Sequence, residues 1–456
     1  MAKKKESLTQ EERLQAALVP EGEQPYKVPG NWCWTALKHI SSHISDGSHN
    51  PPKDSGKGIP LLSATNIHDH LIDIDSAVRW VTEDQWIIEN QRTKIETNDV
   101  LLTIVASIGR TAVVKNEQFA LQRSVAVIKP KINSEFLSYY FETPYIQQFM
   151  LDNAKGTAQK GFYLNSLAEL FCCVPPLPEQ QRIVDRIESL FAKLDEAKQK
   201  VQDALDSFET RKAAILHKAF TGELTAQWRK EHGVGMESWE TKKYSEICNI
   251  VRGGSPRPAG SPEFYGGNIP FMKVADITRN TGPYVNSTEY TIKEAGLKKT
   301  RMVGRNTLLL TNSGATLGVP AICTFKTTFN DGIAAFLGLN PDTLLFHYYF
   351  WTSKTAALRA INKGAAQPNL NTDIIGNVEI SLPRENEQCE IVRLLDNLLA
   401  KEQQAKEAAE GVLEQIDLIK KAILARAFRG ELDTNDPSEE SAVELLKRVI
   451  ERGEQV

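Results

Sequence analysis

The sequence predicts an α+β fold with two globular domains in tandem, separated by two long helices that pair as an antiparallel coiled coil. The first observation is a 46-residue stretch that occurs twice: residues 179–224 and 387–432 align without a gap, and 19 of the 46 pairs are identical. The second is that the segments before the two copies repeat the same order of short apolar runs. A repeat on this scale is a structural unit, so we expect an internal pseudo-twofold repeat.

Each copy of the repeat is predicted to form one long helix. Apolar residues recur at alternating steps of four and three, the heptad pattern of a coiled coil. Pro178 and Pro383 just upstream, and Gly222 and Gly430 at the ends, are typical of helix boundaries. We expect the helices to pair; in the alternative, each packs only on its own globular neighbour. The predicted seam is Ile183, Ile187, Leu190, Leu194, Val201, Phe208, Ile391, Leu395, Leu398, Val412 and Ile416.

Composition predicts a cytoplasmic protein. The 456 residues are 41% hydrophobic and 25% charged, as in ordinary soluble proteins. No apolar run reaches the roughly 18 residues of a membrane span, and the N-terminus lacks a secretory signal. The six cysteines show no CxxC pairing, which favours free thiols in a reducing compartment.

Charge is unevenly distributed along the chain. The net charge is −4, but residues 240–382 carry 15 Lys and Arg against 10 Asp and Glu, a net of +5. Residues 26–175 carry 14 against 15, and the final 74 residues carry 11 against 17. The positive segment is a modest indication of polyanion binding.

Short apolar runs bounded by turn residues predict strands in the first globular domain, at 59–62, 100–105, 112–114 and 125–128. Residues 135–151 predict a helix that Pro144 breaks or kinks. These patterns predict six parts: an N-terminal helix and linker (1–24), a first globular domain (25–175), a helical spacer (176–238), a second globular domain (239–382), a second spacer (383–432) and an acidic tail (433–456).

Three pairs of motifs recur in the two halves, and the globular segments differ almost everywhere between them. Gly58–Ile67 matches Asn268–Ile277, and Gly156–Asn165 matches Gly364–Asn371. Leu-Pro at 177–178 and at 382–383 opens each helix. We interpret the motifs as residues that serve the fold and the divergent stretches as determinants of specificity.

The duplicated motifs in this order resemble the specificity (S) subunit of type I restriction–modification systems, from about Gly30 to Leu432. The resemblance implies two target recognition domains, each recognising one half of a split, asymmetric double-stranded DNA sequence, with the paired helices setting the distance between the halves. It also implies two methyltransferase (M) subunits, which use S-adenosylmethionine, and two restriction (R) subunits, which use ATP and Mg²⁺. On this interpretation the chain itself binds no cofactor and is not an enzyme.

A search for catalytic and metal-binding motifs gives the same expectation. The sequence has no Gly-x-Gly-x-x-Gly after a strand, no Asn-Pro-Pro-Tyr, no P-loop and no His-Glu-x-x-His. Histidines at 39, 43, 49, 68 and 70 have no cysteine or glutamate arrangement that completes a metal site, so we predict none.

Candidate DNA contacts are polar side chains on short turn-rich segments, because base edges are bound by such donors and acceptors. Gln159, Gln367, Asn165 and Asn371 occur in both halves and could equally be turn or capping residues. The candidates in the first domain are Ser48, His49, Asn50, Arg110, Gln122, Arg123, Lys155, Gln159 and Lys160. Those in the second are Arg252, Ser255, Arg257, Asn312, Ser313, Thr316, Lys363, Gln367 and Asn369.

Two other functions remain open at this point. One is a coiled-coil adaptor that joins two protein-binding heads without binding DNA; the positive segment and the divergent loops disfavour it. The other is a self-contained DNA enzyme, which the missing cofactor motifs disfavour.

Overall fold

The computed structural model describes residues 9–68, 70–156, 160–361 and 369–452. The chain divides into two compact units: unit 1 contains residues 1–201 and 411–456, and unit 2 contains residues 202–410. Each unit therefore combines one predicted globular domain with half of each predicted helical spacer. The predicted α+β class with long helices is confirmed.

The helices are α1 Gln10–Ala17, α2 Glu83–Thr93, α3 Ser134–Phe141, α4 Pro144–Asp152, α5 Leu164–Ala168, α6 Leu177–Asp206, α7 Phe208–Phe220, α8 Ala226–Glu231, α9 Tyr244–Ile247, α10 Val274–Thr278, α11 Glu294–Leu297, α12 Leu344–Ile361, α13 Thr372–Gly376, α14 Glu385–Ala427 and α15 Ala442–Arg452. Pro144 is the first residue of α4, and the side chain of Thr143 accepts the Ile146 N–H. The predicted break at Pro144 is confirmed.

The strands of unit 1 are β1 Cys33–Ala36, β2 Ser41–Asp46, β3 Ile59–Leu62, β4 Ile67–His68, β5 Leu71–Ile72, β6 Trp80–Val81, β7 Val100–Thr103, β8 Thr111–Val113, β9 Ala120–Leu121, β10 Val125–Pro130 and β11 Phe171–Val174. Those of unit 2 are β12 Glu240–Lys243, β13 Asn249–Arg252, β14 Tyr265–Met272, β15 Tyr284–Val285, β16 Tyr290–Ile292, β17 Arg301–Val303, β18 Thr307–Thr311, β19 Pro320–Cys323, β20 Thr327–Phe329, β21 Ile333–Leu337 and β22 Glu379–Leu382.

The central sheet of unit 1 has the strand order β2-β10-β7-β8, and a smaller sheet has the order β6-β3-β9. Strand β7 is buried on both faces: Val100 and Leu102 pack in the core against the helices, whereas Leu101 packs in a second apolar cluster. A strand covered on both sides requires a continuous apolar run, which is why this segment lacks polar alternation.

Unit 2 repeats this arrangement with one more strand in each of the two sheets. Its central sheet has the order β13-β21-β18-β19-β15, and its second sheet has the order β16-β14-β20-β17. Leu308 and Leu310 of β18 pack in the helix-side core, and Leu309 packs in the opposite cluster. The two units therefore share one design of core.

Within each unit, the two long helical segments run antiparallel. In unit 1 the carboxylate of Asp195 on α6 lies 2.5 Å from Lys420 Nζ on α14, and Lys198 Nζ lies 3.9 Å from Asp417. In unit 2 the Nε of Arg211 on α7 lies 2.9 Å from the Glu402 carboxylate. Residue numbers rise on one helix as they fall on the other, which is the predicted antiparallel pairing.

The first long helix differs from the prediction of one continuous rod. It is interrupted at Ser207, whose hydroxyl donates to the carbonyl of Ala204 at 2.7 Å. Serine competes for helix carbonyls in this way and weakens the helix locally. The second copy, α14, is one 43-residue helix as predicted. Pro178 also lies inside the first turn of α6 rather than upstream of it.

The predicted seam is buried at its ends and looser in its middle. Ile183, Ile187, Phe208, Ile391, Leu395 and Ile416 are buried, and Leu190, Leu194, Val201 and Leu398 are partly buried. Ile183 and Ile187 belong to the core of unit 1, and Ile391 and Leu395 to that of unit 2, so the helix ends also pack on the sheets. Val412 is 39% exposed, which contradicts its place on a buried seam.

A buried glutamate fixes the start of each long helix. The Glu179 carboxylate is 0% exposed and accepts the Trp32 indole N–H at 2.8 Å and the Asn435 side-chain amide at 2.9 Å. At the matching position, the Glu387 carboxylate accepts the Trp239 indole N–H at 3.0 Å and binds Arg229 at 2.7 Å.

The two glutamates differ in their electrostatic surroundings. Glu387 is paired with a buried guanidinium, whereas neutral donors directly contact Glu179. Burial raises the pKa of the Glu179 carboxyl above its usual value, against the opposing effect of the Asn435 and Trp32 hydrogen bonds. In the described part of the chain, no helix is both long and apolar enough to span a membrane.

We predict opposite effects of the same substitution at these two positions. Glu387→Gln leaves Arg229 buried without its counterion and should cost about 3–5 kcal/mol of unfolding free energy. Glu179→Gln keeps the hydrogen bonds and removes a carboxylate that burial disfavours, so it should stabilise the protein slightly at pH 7. Because the folded-state pKa of Glu179 is raised, this gain should disappear as the pH falls to the usual range of a carboxyl group. Denaturant melts of both variants between pH 4 and 8 measure this, and equal losses at pH 7 would contradict it.

Candidate nucleic-acid interface

In unit 1, backbone hydrogen bonds join four loops at one end of the central sheet. We call them A1 (46–50), B1 (104–110), C1 (121–124) and D1 (155–156 and 160–162). The Ser48 N–H donates to the Leu121 carbonyl at 2.7 Å, which joins A1 to C1. The Ile104 N–H donates to Ser124 at 2.9 Å, and its carbonyl accepts from Phe162 at 2.7 Å, which joins B1 to C1 and D1.

Unit 2 joins its loops by the same bonds. Its loops are A2 (252–257), B2 (312–319), C2 (329–332) and D2 (369–371). The Gly254 N–H donates to the Phe329 carbonyl at 3.1 Å. The Asn312 N–H donates to Gly332 at 2.9 Å, and its carbonyl accepts from Leu370 at 2.7 Å. These bonds align the two units residue by residue, whatever side chains the loops carry.

This alignment corrects the predicted register of two motifs. Phe162 occupies the position of Leu370, so Leu164-Asn165 does not match Leu370-Asn371. The side chain of Gln180 donates to Pro175 at 2.9 Å as that of Gln388 donates to Pro383 at 2.8 Å. Pro175, rather than Pro178, is therefore the partner of Pro383.

Asn371 is a capping residue, as the alternative interpretation allowed. Its side chain accepts the Ile374 N–H at 2.8 Å at the start of α13. Asn165 lies within α5, where Tyr163 is the N-cap residue.

The structure gathers most of the predicted contacts in these loops. Ser48, Gln122, Ser255 and Ser313 are partly exposed, whereas Asn312 is completely buried. Gln159, Lys363 and Gln367 lie outside the described residues. The exposed candidates are His49, Asn50, Arg110, Arg123, Lys155, Lys160, Arg252, Arg257, Thr316 and Asn369.

A buried carboxylate organises loop A1. Asp46 pairs with the guanidinium of Arg92, and its other oxygen lies 2.8 Å from His49 Nε2. Arg92 comes from the end of α2 and its side chain is 53% exposed. Arg92 was not among the predicted contacts, because it lies on a helix and those contacts were placed on turn-rich segments.

Loop A2 is organised by an aspartate from a different loop. Asp331 of C2 accepts the Ser255 hydroxyl at 2.6 Å, and its backbone carbonyl accepts Arg252 Nε at 2.6 Å. In the alignment of the units, Arg252 occupies the position of Asp46, and Asp331 occupies that of Arg123. The charges of the two loops are thus exchanged between the units.

A basic segment of unit 2 lies against loop A2 and was also missed. A Cβ atom at Gly254 would overlap the carbonyl oxygen of Lys299, and the Thr300 hydroxyl donates to Phe329 at 2.7 Å. The exposed cations of this segment (293–305) are Lys293, Lys298, Lys299, Arg301 and Arg305. Five of the 15 Lys and Arg of residues 240–382 therefore lie in the segment that contacts loop A2.

Three of the histidines considered as metal ligands, at 49, 68 and 70, contact carboxylates or hydroxyls instead. His68 lies 3.3 Å from Asp73, and His70 lies 2.9 Å from Glu142 and 3.3 Å from the Ser138 hydroxyl. This serine–histidine–glutamate group resembles a hydrolase triad, but Ser138 is completely buried inside α3 and a substrate cannot reach it. Among the described residues, no group of three or more His, Cys, Asp or Glu could hold a metal ion.

The two repeated units define a tandem protein with two equivalent polar loop clusters on antiparallel helical supports. A model of the type I restriction modification DNA specificity domain matches residues 60–206 and 236–411. The chain belongs to this family.

Comparison with known proteins gives relatives of the same kind. The chain is 34% identical over 212 residues to the type I restriction enzyme EcoBI specificity subunit of Escherichia coli, which is 45% of this chain and 44% of the relative. It is 29% identical to the EcoKI specificity subunit of E. coli K12 over 43% of this chain and 44% of the relative. These alignments thus span under half of either relative.

Two solved structures share the fold over most of the chain. The HsdS subunit from Thermoanaerobacter tengcongensis has a TM-score of 0.57 at 22% identity, covering 90% of this chain and 99% of that one. A chain from a study of assembly of the type I R-M system has a TM-score of 0.63 at 21% identity, covering 89% and 100%.

The buried side chain of Asn312 should lower the stability of the protein. No described residue hydrogen-bonds either polar atom of its buried side chain, and the equivalent residue of unit 1 is the apolar Ile104. Asn312→Ile should therefore stabilise the protein by about 1–3 kcal/mol in denaturant melts. The reciprocal control, Ile104→Asn, should destabilise it, and a destabilised Asn312→Ile variant would show that the amide has a partner.

Proposed function

We propose that the chain is the DNA-recognition subunit of a type I restriction–modification complex. Each unit binds one half of a bipartite, asymmetric double-stranded DNA site through its loop cluster, and the helical spacers set the distance between the halves. The observation that carries this proposal is the pair of loop clusters, which share backbone hydrogen bonds but differ in side chains and in the placement of charge.

Physical arguments support DNA as the ligand. Arginine and amide side chains on fixed loops match the acceptors and donors of base edges. The exposed cations beside A2 suit phosphate contacts, which supply affinity without sequence preference. Two unlike clusters predict an asymmetric site, because identical ones would recognise a palindrome. No observation on this chain favours the adaptor function.

Catalysis is assigned to partner subunits. We propose that two M subunits dock on the helical spacers and methylate adenine with S-adenosylmethionine, and that two R subunits contribute ATP- and Mg²⁺-dependent cleavage. The chain itself is proposed to bind neither cofactor and to act in the cytoplasm, with the DNA and these subunits. A methyltransferase must flip its target base out of the duplex, so the sequence can be recognised by a separate subunit docked beside it.

Specificity should be modular if this proposal is right. Exchanging residues 240–382 for the corresponding segment of a relative should change one half of the methylated sequence and leave the other half and the spacer unchanged. Methylome sequencing of cells that carry the hybrid and its M subunit measures this. A hybrid that alters both half-sites would contradict the model of two independent recognition units.

Phosphate binding by the basic segment predicts a salt effect. Changing Lys298, Lys299 and Arg301 to Ala should weaken binding to specific and unrelated duplexes alike. The slope of log K against log salt concentration should fall by about 0.9 for each lost phosphate contact. Lys200→Ala, an exposed lysine of the helical spacer, is the control and should leave the slope unchanged. An unchanged slope in the triple variant would exclude this segment from the interface.

A further inference from the structure

Loop A2 is held in one conformation. The Gly253 N–H donates to the Ile333 carbonyl at 3.0 Å, and the Tyr265 hydroxyl donates to the carbonyl of Pro256 at 2.9 Å. A Cβ atom at Gly253 would overlap the carbonyl oxygen of Asn330, so only glycine permits this approach. The two arginines at the ends of the loop, Arg252 and Arg257, therefore project from a fixed backbone.

Asp331 contacts the loop at three points. Its Oδ1 accepts the Ser255 hydroxyl at 2.6 Å, and its Oδ2 lies 3.9 Å from Arg257 Nη2. Its backbone carbonyl accepts Arg252 Nε at 2.6 Å. One residue thus touches both guanidinium groups and the serine between them.

These contacts leave the arginines available to a ligand. Arg252 uses Nε toward Asp331, and no described protein group hydrogen-bonds its two terminal nitrogens. The side chain of Arg257 is 72% exposed. A guanidinium that offers two parallel N–H groups matches the O6 and N7 acceptors of guanine in the major groove. Adenine presents a donor at the position of O6, which a donor-only group rejects.

We propose that Asp331 is a positioning residue that holds Arg252 and Arg257 ready to bind guanine in the second half of the DNA site. The inference rests on the proposed function and adds the base that unit 2 selects. Fixing the guanidinium groups before binding reduces the side-chain entropy lost in the complex. It also directs the guanidinium groups, which could otherwise bind any phosphate, toward a base edge.

The negative charge of Asp331 should weaken DNA binding in general, which makes the inference testable. A carboxylate 46% exposed at a DNA-binding surface repels phosphates, so removing its charge should strengthen binding to unrelated DNA. The same change should loosen Arg257, which faces the carboxylate, and so weaken selection for guanine, whereas Arg252 keeps its bond to the backbone carbonyl. A residue that only supported the fold would lower both kinds of binding when changed.

The experiment uses the full chain assembled with its methyltransferase partner and a randomised duplex library, with sequencing of the bound fraction. Asp331→Asn should lower the preference for guanine in the second half-site several-fold and raise affinity for unrelated duplex. Arg252→Lys and Arg257→Lys, which keep the charge but lose the forked geometry, should each lower the preference for one guanine by about tenfold. Asp46→Asn, the matched control in unit 1, should alter only the first half-site.

The outcomes separate this inference from the proposed function. A complex that selects no sequence at all would overturn the proposed function. A bipartite site whose second half contains no guanine, or an Asp331→Asn complex that loses affinity for all duplexes alike, would overturn only the role of Asp331. Thermal melts of each variant show whether the fold is retained, and the two lysine variants, on exposed side chains, test guanine selection even where Asp331→Asn is unstable.

Discussion

The structure depends on a buried carboxylate at the first turn of each long helix. Glu179 and Glu387 each accept an indole N–H from a tryptophan just before the first strand of their unit. These are Trp32 before β1 and Trp239 before β12. A buried carboxylate is costly unless it is fully hydrogen-bonded, so its partners can occupy only a narrow range of positions. The start of each long helix is thereby fixed next to the strand that follows the tryptophan, β1 in unit 1 and β12 in unit 2.

The two units complete this site from different parts of the chain. In unit 2 the partners of Glu387 are Thr225, Arg229 and Trp239, which lie within 15 residues of one another. In unit 1 Glu179 binds Trp32 and Asn435, which are separated by almost the whole sequence. The backbone carbonyl of Asn31 also accepts the Ala442 N–H at 2.8 Å. The site around Glu179 therefore forms only when residues near both ends of the described chain come together. This costs more conformational entropy than bringing together the partners of Glu387, which are neighbours in the sequence.

The sequence predicted the repeated features well because they follow from periodicity and backbone chemistry. The heptad pattern predicted α14 and the antiparallel pairing, and apolar runs predicted the strands that carry Leu101 and Val127. The prediction failed where a single side chain determines the local structure. Ser207 interrupts α6 through its own hydroxyl, and Val412 fits the heptad but faces solvent. The predicted motif register was displaced by two residues at Leu164-Asn165 and by three at Pro178.

The candidate site was predictable in its loops and not in its electrostatics. Turn-rich segments with polar residues mark A1, C1 and A2, but Arg92 and Lys299 approach from a helix and from the segment before β17. Their proximity to the loops is a tertiary contact that no local pattern encodes. Nor could spacing show that Asp46 in one unit and Arg252 in the other occupy the same place.

Under the proposed function, that exchange of charge explains how one fold can carry two specificities. The bonds that position the loops run between backbone groups, such as Ile104 to Ser124 and Asn312 to Gly332, so they survive changes in side chain. Each aspartate also has an arginine beside it, because Asp46 pairs with Arg92 and Asp331 lies 3.9 Å from Arg257. This limits the cost of placing a carboxylate near DNA phosphates. Reversing which loop carries each charge alters the face presented to a base edge while the sheet below remains the same. The residues that differ in charge between the units are therefore ones that the shared backbone bonds do not require.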